Sequence, residues 1–135
     1  MPYLLRNLLI DRPNQVWCTD ITYVAMEHGF MYLYAIIDVY SRYIVGWGLY
    51  NSLDASNAIE VLDAAVSRHG APEIINSDQG CQYTSKEWHE TCDGYEIKIS
   101  MDGVAHYIDY YNTRRYHQGI DHQIPAARYA AAIAA

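Results

Sequence analysis

Two carboxylates stand out because of where the sequence places them. Asp20 lies at the centre of the strand-like run VWCTDITYV, whose other members are mostly β-branched or aromatic. Asp78 lies in the stretch NSDQG, just after a short apolar run. A buried, unpaired carboxylate is costly, so Asp20 must be exposed, paired or bound to a metal. If their strands lie side by side, the two carboxylates converge at one edge of the sheet and repel each other unless a cation neutralises them.

Mg²⁺ is the natural partner for such a pair of acids. It takes hard oxygen ligands and keeps open positions for water or phosphate oxygens. Two such ions can activate a nucleophile and stabilise a leaving oxygen in phosphoryl transfer. Plainer interpretations stay open: Asp78 as a turn residue bonded to its own backbone, and Asp20 on an exposed strand face. The residues alone therefore favour a metal site without excluding structural roles.

The first half of the chain predicts the strands that would position Asp20. The runs QVWCTDITYV, FMYLYAIIDVY and RYIVGWGLY are separated by short turns, which predicts an antiparallel meander. A helical period follows in LDASNAIEVLDAAVSRHGAP, with Ser52 or Asp54 as a cap and Gly70 ending it in a left-handed turn. The apolar positions of this helix share one face: Ala58, Ile59, Leu62, Ala65 and Val66.

The second half predicts the elements around Asp78. A short strand at EII leads into the NSDQG loop and then into a second helix. In that helix Thr84 and Glu87 have capping-box spacing, and Gly94 suits the end. YEIKIS predicts a last strand, and the remainder is helical. Antiparallel strands followed by crossover helices predict an α/β fold with a mixed sheet flanked by helices.

Composition limits the class of protein. The chain has 135 residues, enough for one domain, and its 51% apolar content with 14 tyrosines indicates a globular protein. No apolar run approaches the ~20 residues that span a bilayer, so we expect no membrane partner. Three cysteines without a CxxC pair argue against a disulfide framework and fit a reducing cytosol. The net charge of −7 opposes non-specific DNA binding, which depends on Lys and Arg.

Five sequence blocks occur in the order found in one known family. They are PNQVWCTDITYV, YAIIDVYSRYIVGW, NSDQGCQYTS, IKISMDG and YYNTRRYHQGI. In these blocks, over residues 11–129, the chain resembles bacterial insertion-sequence transposases. The resemblance is to the second-frame product of elements with two overlapping reading frames, whose catalytic core is related to retroviral integrases.

The resemblance implies a fold, a chemistry and a set of site residues. The fold would be ribonuclease H-like, with a five-stranded mixed sheet flanked by helices. The catalytic set would be Asp, Asp and Glu, holding two Mg²⁺ or Mn²⁺ ions for DNA 3′-end cleavage and strand transfer. The first two acids map onto Asp20 and Asp78. The partners would be the transposon ends and the target DNA, with a homo-oligomer possible, no small-molecule cofactor, and the bacterial cytoplasm as location.

The match breaks at the third acid. Arg114 stands at the spacing where the family has its glutamate, and neither Asp102 nor Asp109 is a convincing substitute. A segment is predicted to be missing between Gly103 and Val104, with a deleted element, an engineered chain or an omitted stretch as open origins. The predicted organisation is therefore a lead-in at 1–14, an integrase-like core at 15–129 with an internal deletion near 103–104, and an Ala-rich tail at 130–135.

Several other residues receive expected roles. Arg114 and Arg115 stand beside aromatic residues and could contact a DNA phosphate, although a solvated helix end would explain them as well. Asp38 in IIDVYSR is expected to end a strand and hold the next turn. Cys18 shares a strand face with Asp20, and core packing is its expected role.

Three functions follow, in order of preference. The first is a transposase core for metal-dependent DNA cleavage and strand transfer, impaired by the missing glutamate. The second is a non-catalytic remnant that folds and self-associates. The third, a domain that binds a small metabolite, ranks last because no glycine-rich phosphate loop is present.

Overall fold

A computed structural model describes residues 4–101 of the chain. The first three strands form the predicted antiparallel meander, with β1 pairing β2 and β2 pairing β3. Their bounds are Val16–Ala25 for β1, Phe30–Asp38 for β2 and Ile44–Tyr50 for β3. The predicted C-terminal helices, the junction at 103–104 and the tail at 130–135 lie outside the described residues.

The remaining elements complete a five-stranded mixed sheet of order β3-β2-β1-β4-β5. The chain crosses from β3 through a long helix to β4, which pairs in parallel with β1, and β5 pairs in parallel with β4. The predicted α/β class, the mixed sheet and the order of the strands along the chain are confirmed. The further bounds are Ala55–His69 for α1, Ile74–Ser77 for β4, Cys81–Thr84 for α2, Lys86–Gly94 for α3 and Lys98–Met101 for β5.

Apolar side chains pack on both faces of the sheet. On one face, the buried positions of α1 cover the sheet: Ala58, Val61, Leu62 and Ala65. On the other face, Leu5 of the N-terminal segment packs with Val16, Cys18 and Val39. Cys18 is 4% exposed, which confirms its expected role in core packing. The central strand β1 is therefore held from both sides, and its position is fixed.

The predicted helix after the NSDQG loop is α3, and the sequence did not predict the single-turn helix α2 that precedes it. Thr84 ends the single-turn helix α2, and Ser85 is extended, with φ −69° and ψ 153°. Ser85 is therefore the N-cap of α3, and its hydroxyl accepts a hydrogen bond from the Trp88 amide at 3.2 Å. The predicted cap at Thr84 was wrong by one residue, because Thr84 is itself helical as the last residue of α2.

The ends of the helices follow the predictions in part. Gly70 closes α1 as predicted, and its amide donates to the Val66 carbonyl at 2.8 Å. Its φ is positive, at 81°, but its ψ of 167° lies outside the predicted left-handed helical conformation. Asp54 occupies the N-cap position of α1 but makes no capping hydrogen bond with its side chain. Gly94 is the last residue of α3, while the positive φ falls on Glu96. Within residues 4–101, no helix has the length and apolarity needed to cross a membrane.

Asp38 has the structural role that its position predicted. It ends β2 and is 0% exposed. One carboxylate oxygen accepts from the Ser41 amide at 2.9 Å and from the Ser41 hydroxyl at 2.6 Å. The other accepts from the Asn14 amide at 2.8 Å. Asp38 therefore joins the N-terminal segment, the end of β2 and the turn into β3.

Candidate active site

The register of the parallel strands brings Asp20 and Asp78 to the same level of the sheet. The β1–β4 ladder runs from Val16 opposite Ile74 to Cys18 opposite Asn76. Asp20 lies two residues beyond the end of the ladder on β1, and Asp78 lies two residues beyond it on the β4 side. Since neighbouring strands lie about 4.8 Å apart, equal offsets place the two acids side by side. The convergence of the two carboxylates stays a prediction, and the register supports it by giving Asp20 and Asp78 the same offset from the last pair.

Unequal strand lengths explain why a strand-centred aspartate is tolerated. β1 has 10 residues and β4 has only 4, so the ladder stops before Asp20. On its other side Asp20 pairs with Ala35 of β2, a small residue. Asp20 is half-buried, at a point where the strand order also reverses between β1 and β4. Ligand sites in α/β sheets gather at such reversals, at the carboxyl ends of the strands.

Asp78 is half-buried and its carboxylate is oriented by its own loop. The Gly80 amide donates to Asp78 Oδ1 at 2.8 Å, so the turn role left open above is present. A carboxylate has about four acceptor positions, and one backbone hydrogen bond leaves the others for further donors or a cation. A turn role and a metal role are therefore compatible at Asp78.

Gly80 is needed for space and not for an unusual backbone conformation. Its φ of −61° suits any residue. A Cβ atom at this position would lie 2.9 Å from Asp78 Oδ1 and 3.0 Å from Gln82 Oε1. Any larger residue must therefore push the Asp78 carboxylate aside.

We expect Gly80→Ala to weaken divalent-metal binding by about tenfold, the scale seen when a ligand loses its outer support. The carboxylate is the movable partner of the clash, so the free energy of unfolding should change by less than about 1 kcal/mol. Calorimetric Mn²⁺ titration and urea unfolding measure the two effects. Gly94→Ala, where a Cβ meets nothing within 4 Å, is the matched control. Equal metal affinity in both variants would contradict the prediction.

The short helix α2 places a buried tyrosine beside both acids. The Tyr83 hydroxyl lies 3.1 Å from Thr19 Oγ1, and Tyr83 is 1% exposed. Burial raises the pKa of the Tyr83 hydroxyl, and the charges of Asp20 and Asp78 raise that pKa further. Both carboxylates therefore lie near this hydroxyl, which stays protonated at neutral pH. Sequence reasoning missed Tyr83, because nothing local links it to Thr19.

An open cavity of about 200 Å³ lies next to Asp78. Thr22, Tyr23 and Tyr32 of the β1–β2 hairpin line one side of it. The rings of Tyr23 and Tyr32 lie 5.3 Å apart between centroids, and the Phe30 ring lies 5.3 Å from Tyr23. The site is therefore accessible from solvent between an aromatic hairpin and α2.

The candidate metal ligands among the described residues are of the kind that a hard divalent cation prefers, but there are too few of them for a complete site. Asp20 and Asp78 offer carboxylate oxygens, which Mg²⁺ and Mn²⁺ prefer. Within residues 4–101 no group of three His, Cys, Asp or Glu side chains is placed to hold a metal. The other candidates named from the sequence lie outside the described residues: Asp102, Asp109, Arg114 and Arg115.

The five-stranded mixed sheet with its helices is the fold of integrase catalytic cores. The model of the integrase core domain matches residues 10–106, and the chain belongs to this family. Its relatives are bacterial insertion-sequence transposases, as the five sequence blocks predicted. The ribonuclease H-like fold of the retroviral integrase cores, expected from the same blocks, is confirmed by the solved structures that the chain resembles.

Two transposases illustrate the sequence similarity. The chain is 29% identical to the transposase of insertion sequence element IS629 from Shigella sonnei over 158 aligned positions, covering 90% of this chain and 53% of that protein. It is 34% identical to transposase InsF of IS3A from Escherichia coli K12 over 100 positions, covering 73% of this chain and 35% of InsF. The chain thus spans about half or less of the length of these relatives.

Solved structures of retroviral integrases also resemble this chain. The catalytic core domain of HTLV-2 integrase, in complex with magnesium in a dimeric form, matches with a TM-score of 0.63 and 28% identity. That match covers 67% of this chain and 61% of the integrase core. The simian T-cell lymphotropic virus intasome, in complex with the PP2A regulatory subunit B56 gamma, matches with a TM-score of 0.64 and 27% identity, over 67% of this chain and 32% of that one.

Proposed function

We propose that this chain is a transposase catalytic core in which Asp20 and Asp78 hold Mg²⁺ or Mn²⁺ for DNA 3′-end cleavage and strand transfer. The observation that carries the proposal is the equal offset of the two acids from the end of the β1–β4 ladder. The magnesium in the similar HTLV-2 integrase core supports the choice of metal. The bound metal would activate the attacking oxygen and neutralise charge on the phosphate.

The residues around the acids have defined parts in this proposal. Asp20 lies on the central strand of the sheet, which holds this ligand in place. Asp78 is aimed by the Gly80 amide, which leaves its other acceptor positions for the metal. Tyr83 is protonated at neutral pH, so it supplies a hydrogen-bonding hydroxyl and does not act as a base. The open cavity beside Asp78 leaves room for a DNA phosphate or sugar.

We propose further that the catalytic activity is impaired because the segment with the third acid is missing between Gly103 and Val104. The alignment with the IS629 transposase supports this, since its 158 positions exceed the 135 residues of the chain and must contain gaps opposite it. The alternative function is a non-catalytic remnant that only folds and self-associates. If the chain does not bind the metal, then Asp20 and Asp78 without a third acid do not form a working site, which favours this alternative.

The proposed partners are DNA and a second copy of the chain, in the bacterial cytoplasm where the DNA lies. Arg114 and Arg115 remain the proposed phosphate contacts. Self-association is supported by apolar side chains that the edge strand β3 exposes, among them Trp47 at 64% and Leu49 at 40%. The dimeric and trimeric forms of the similar HTLV-2 integrase core support it as well.

A Mn²⁺ titration by calorimetry tests the metal site, after an intact mass has confirmed the chain. We expect saturable binding that Asp20→Asn and Asp78→Asn each weaken by more than about a hundredfold, since even an outer-shell partner is worth about ten- to a hundredfold. Asp93→Asn, an exposed acid on α3, is the matched control and should bind as the parent does. Absent binding, or binding indifferent to both site variants, would overturn the catalytic proposal in favour of the remnant.

A further inference from the structure

The β1–β4 ladder does not itself hold Asp20 and Asp78 at a fixed distance. Its last pair is Cys18 opposite Asn76, and both acids lie beyond it. β4 ends at Ser77, so Asp78 belongs to the segment that leads into α2. Two metal ligands must be placed to well within 1 Å, on the order of 0.5 Å, to share an ion productively. Some contact beyond the ladder has to set the distance between them.

The hydrogen bond between Thr19 and Tyr83 is such a contact. Thr19 directly precedes Asp20, and Tyr83 lies on the helix that directly follows the Asp78 loop. The two hydroxyl oxygens are 3.1 Å apart, and both residues are buried, at 3% and 1% exposure. A buried hydroxyl pair is costly to break, because each group would lose its partner without gaining water. The bond therefore ties the Asp20 strand to the Asp78 segment at the level of the acids.

Two further contacts make α2 a firm support for this bond. The Tyr83 ring packs edge to face on the buried Trp88 ring, with centroids 5.1 Å apart. The side-chain amide of Gln82 donates through Nε2 to the Leu53 carbonyl at 2.8 Å, which anchors α2 to the segment before α1. The tyrosine cannot follow a shift of the Asp78 loop without breaking this packing.

We propose that Tyr83 is a positioning residue of the two-acid site, acting through its hydrogen bond to Thr19. The bond sets the distance between the carboxylates of Asp20 and Asp78, and with it the affinity for the divalent cation. This inference rests on the proposed metal site. It assigns to a core tyrosine a role in metal affinity in addition to its part in stability.

Three variants separate positioning from stability in Mn²⁺ calorimetry and urea unfolding. Tyr83→Phe and Thr19→Val each remove one hydroxyl and keep the shape, while Thr19→Ser keeps the hydroxyl. Tyr34→Phe is the matched control, because Tyr34 is also 1% exposed and its hydroxyl donates to the Ser52 carbonyl at 2.8 Å. The Mn²⁺ electron paramagnetic resonance spectrum reports the ligand geometry directly.

We expect Tyr83→Phe and Thr19→Val to weaken Mn²⁺ binding by about tenfold each, with an altered Mn²⁺ spectrum. The double variant should be no weaker than either single one, because both remove the same bond. Thr19→Ser should bind as the parent does, and Tyr34→Phe should lose stability without losing affinity.

Two other outcomes distinguish a failure of the positioning role from a failure of the metal site. If Tyr83→Phe binds Mn²⁺ as well as Tyr34→Phe does, while Asp20→Asn and Asp78→Asn abolish binding, the positioning role is overturned and the metal site stands. If the parent does not bind Mn²⁺, or binds it independently of both acids, the metal site fails and the positioning role fails with it.

Discussion

Asp38→Asn is expected to lower the free energy of unfolding by about 3 kcal/mol, because a hydrogen bond to a buried charged group is worth about 1.5–3 kcal/mol. The Asp38 carboxylate accepts from two sides, from Asn14 and from Ser41. An amide of the same shape presents an oxygen to one side only and turns its NH₂ group towards donors on the other. At least one buried donor then loses its acceptor.

Urea unfolding followed by tryptophan fluorescence measures this loss, since Trp17 and Trp88 are both fully buried. Asp93→Asn makes the same chemical change at an exposed position and should alter the stability by less than about 0.5 kcal/mol. An equal change in the two variants would show that Asp38 does not hold the N-terminal segment and the β2–β3 turn together.

A graft that supplies the segment proposed to be missing is expected to have the largest effect on activity. Inserting between Gly103 and Val104 a helical segment that carries a glutamate at the spacing typical of the family should add the third carboxylate. Metal affinity should rise by more than about a hundredfold, since a direct ligand is worth more than an outer-shell one. Mg²⁺-dependent cleavage of a labelled DNA duplex carrying an insertion-sequence end should appear with the graft, and we expect none with the parent chain.

The matched control for this graft is the same insertion with its glutamate changed to glutamine. It keeps the length and the helix but lacks the charge, so it should bind metal as weakly as the parent chain does. If both grafts bind metal equally well, or if neither binds better than the parent, the missing segment does not account for the incomplete site. Cleavage by the parent chain alone would show that its two acids are already sufficient.

Local patterns in the sequence determined the elements of this fold. Alternating β-branched and aromatic residues defined the three strands of the meander, and the 3.6-residue period defined α1. Asp38 was assigned correctly, since an acid between a strand and a turn has few other roles. The cap at Ser85 was missed because Thr84 and Glu87 have capping-box spacing, and only the backbone shows that Thr84 belongs to a separate turn of helix.

The sequence also determined the family, because five ordered blocks are specific where any single motif is not. It named both Asp20 and Asp78, and the alternation along β1 placed Cys18 on the same face as Asp20. It could not fix the distance between the two acids, since it gives neither the strand order nor the register.

Only the tertiary structure decided where the two acids lie relative to each other. The crossover through α1 returns the chain to the side of β1, and the β1–β4 pairing sets equal offsets for Asp20 and Asp78. The contact between Thr19 and Tyr83 joins residues 64 positions apart. Such contacts depend on how separate elements pack, which no local pattern encodes. Residue type and local periodicity therefore determined the chemistry available to this protein, while long-range pairing determined where that chemistry is assembled.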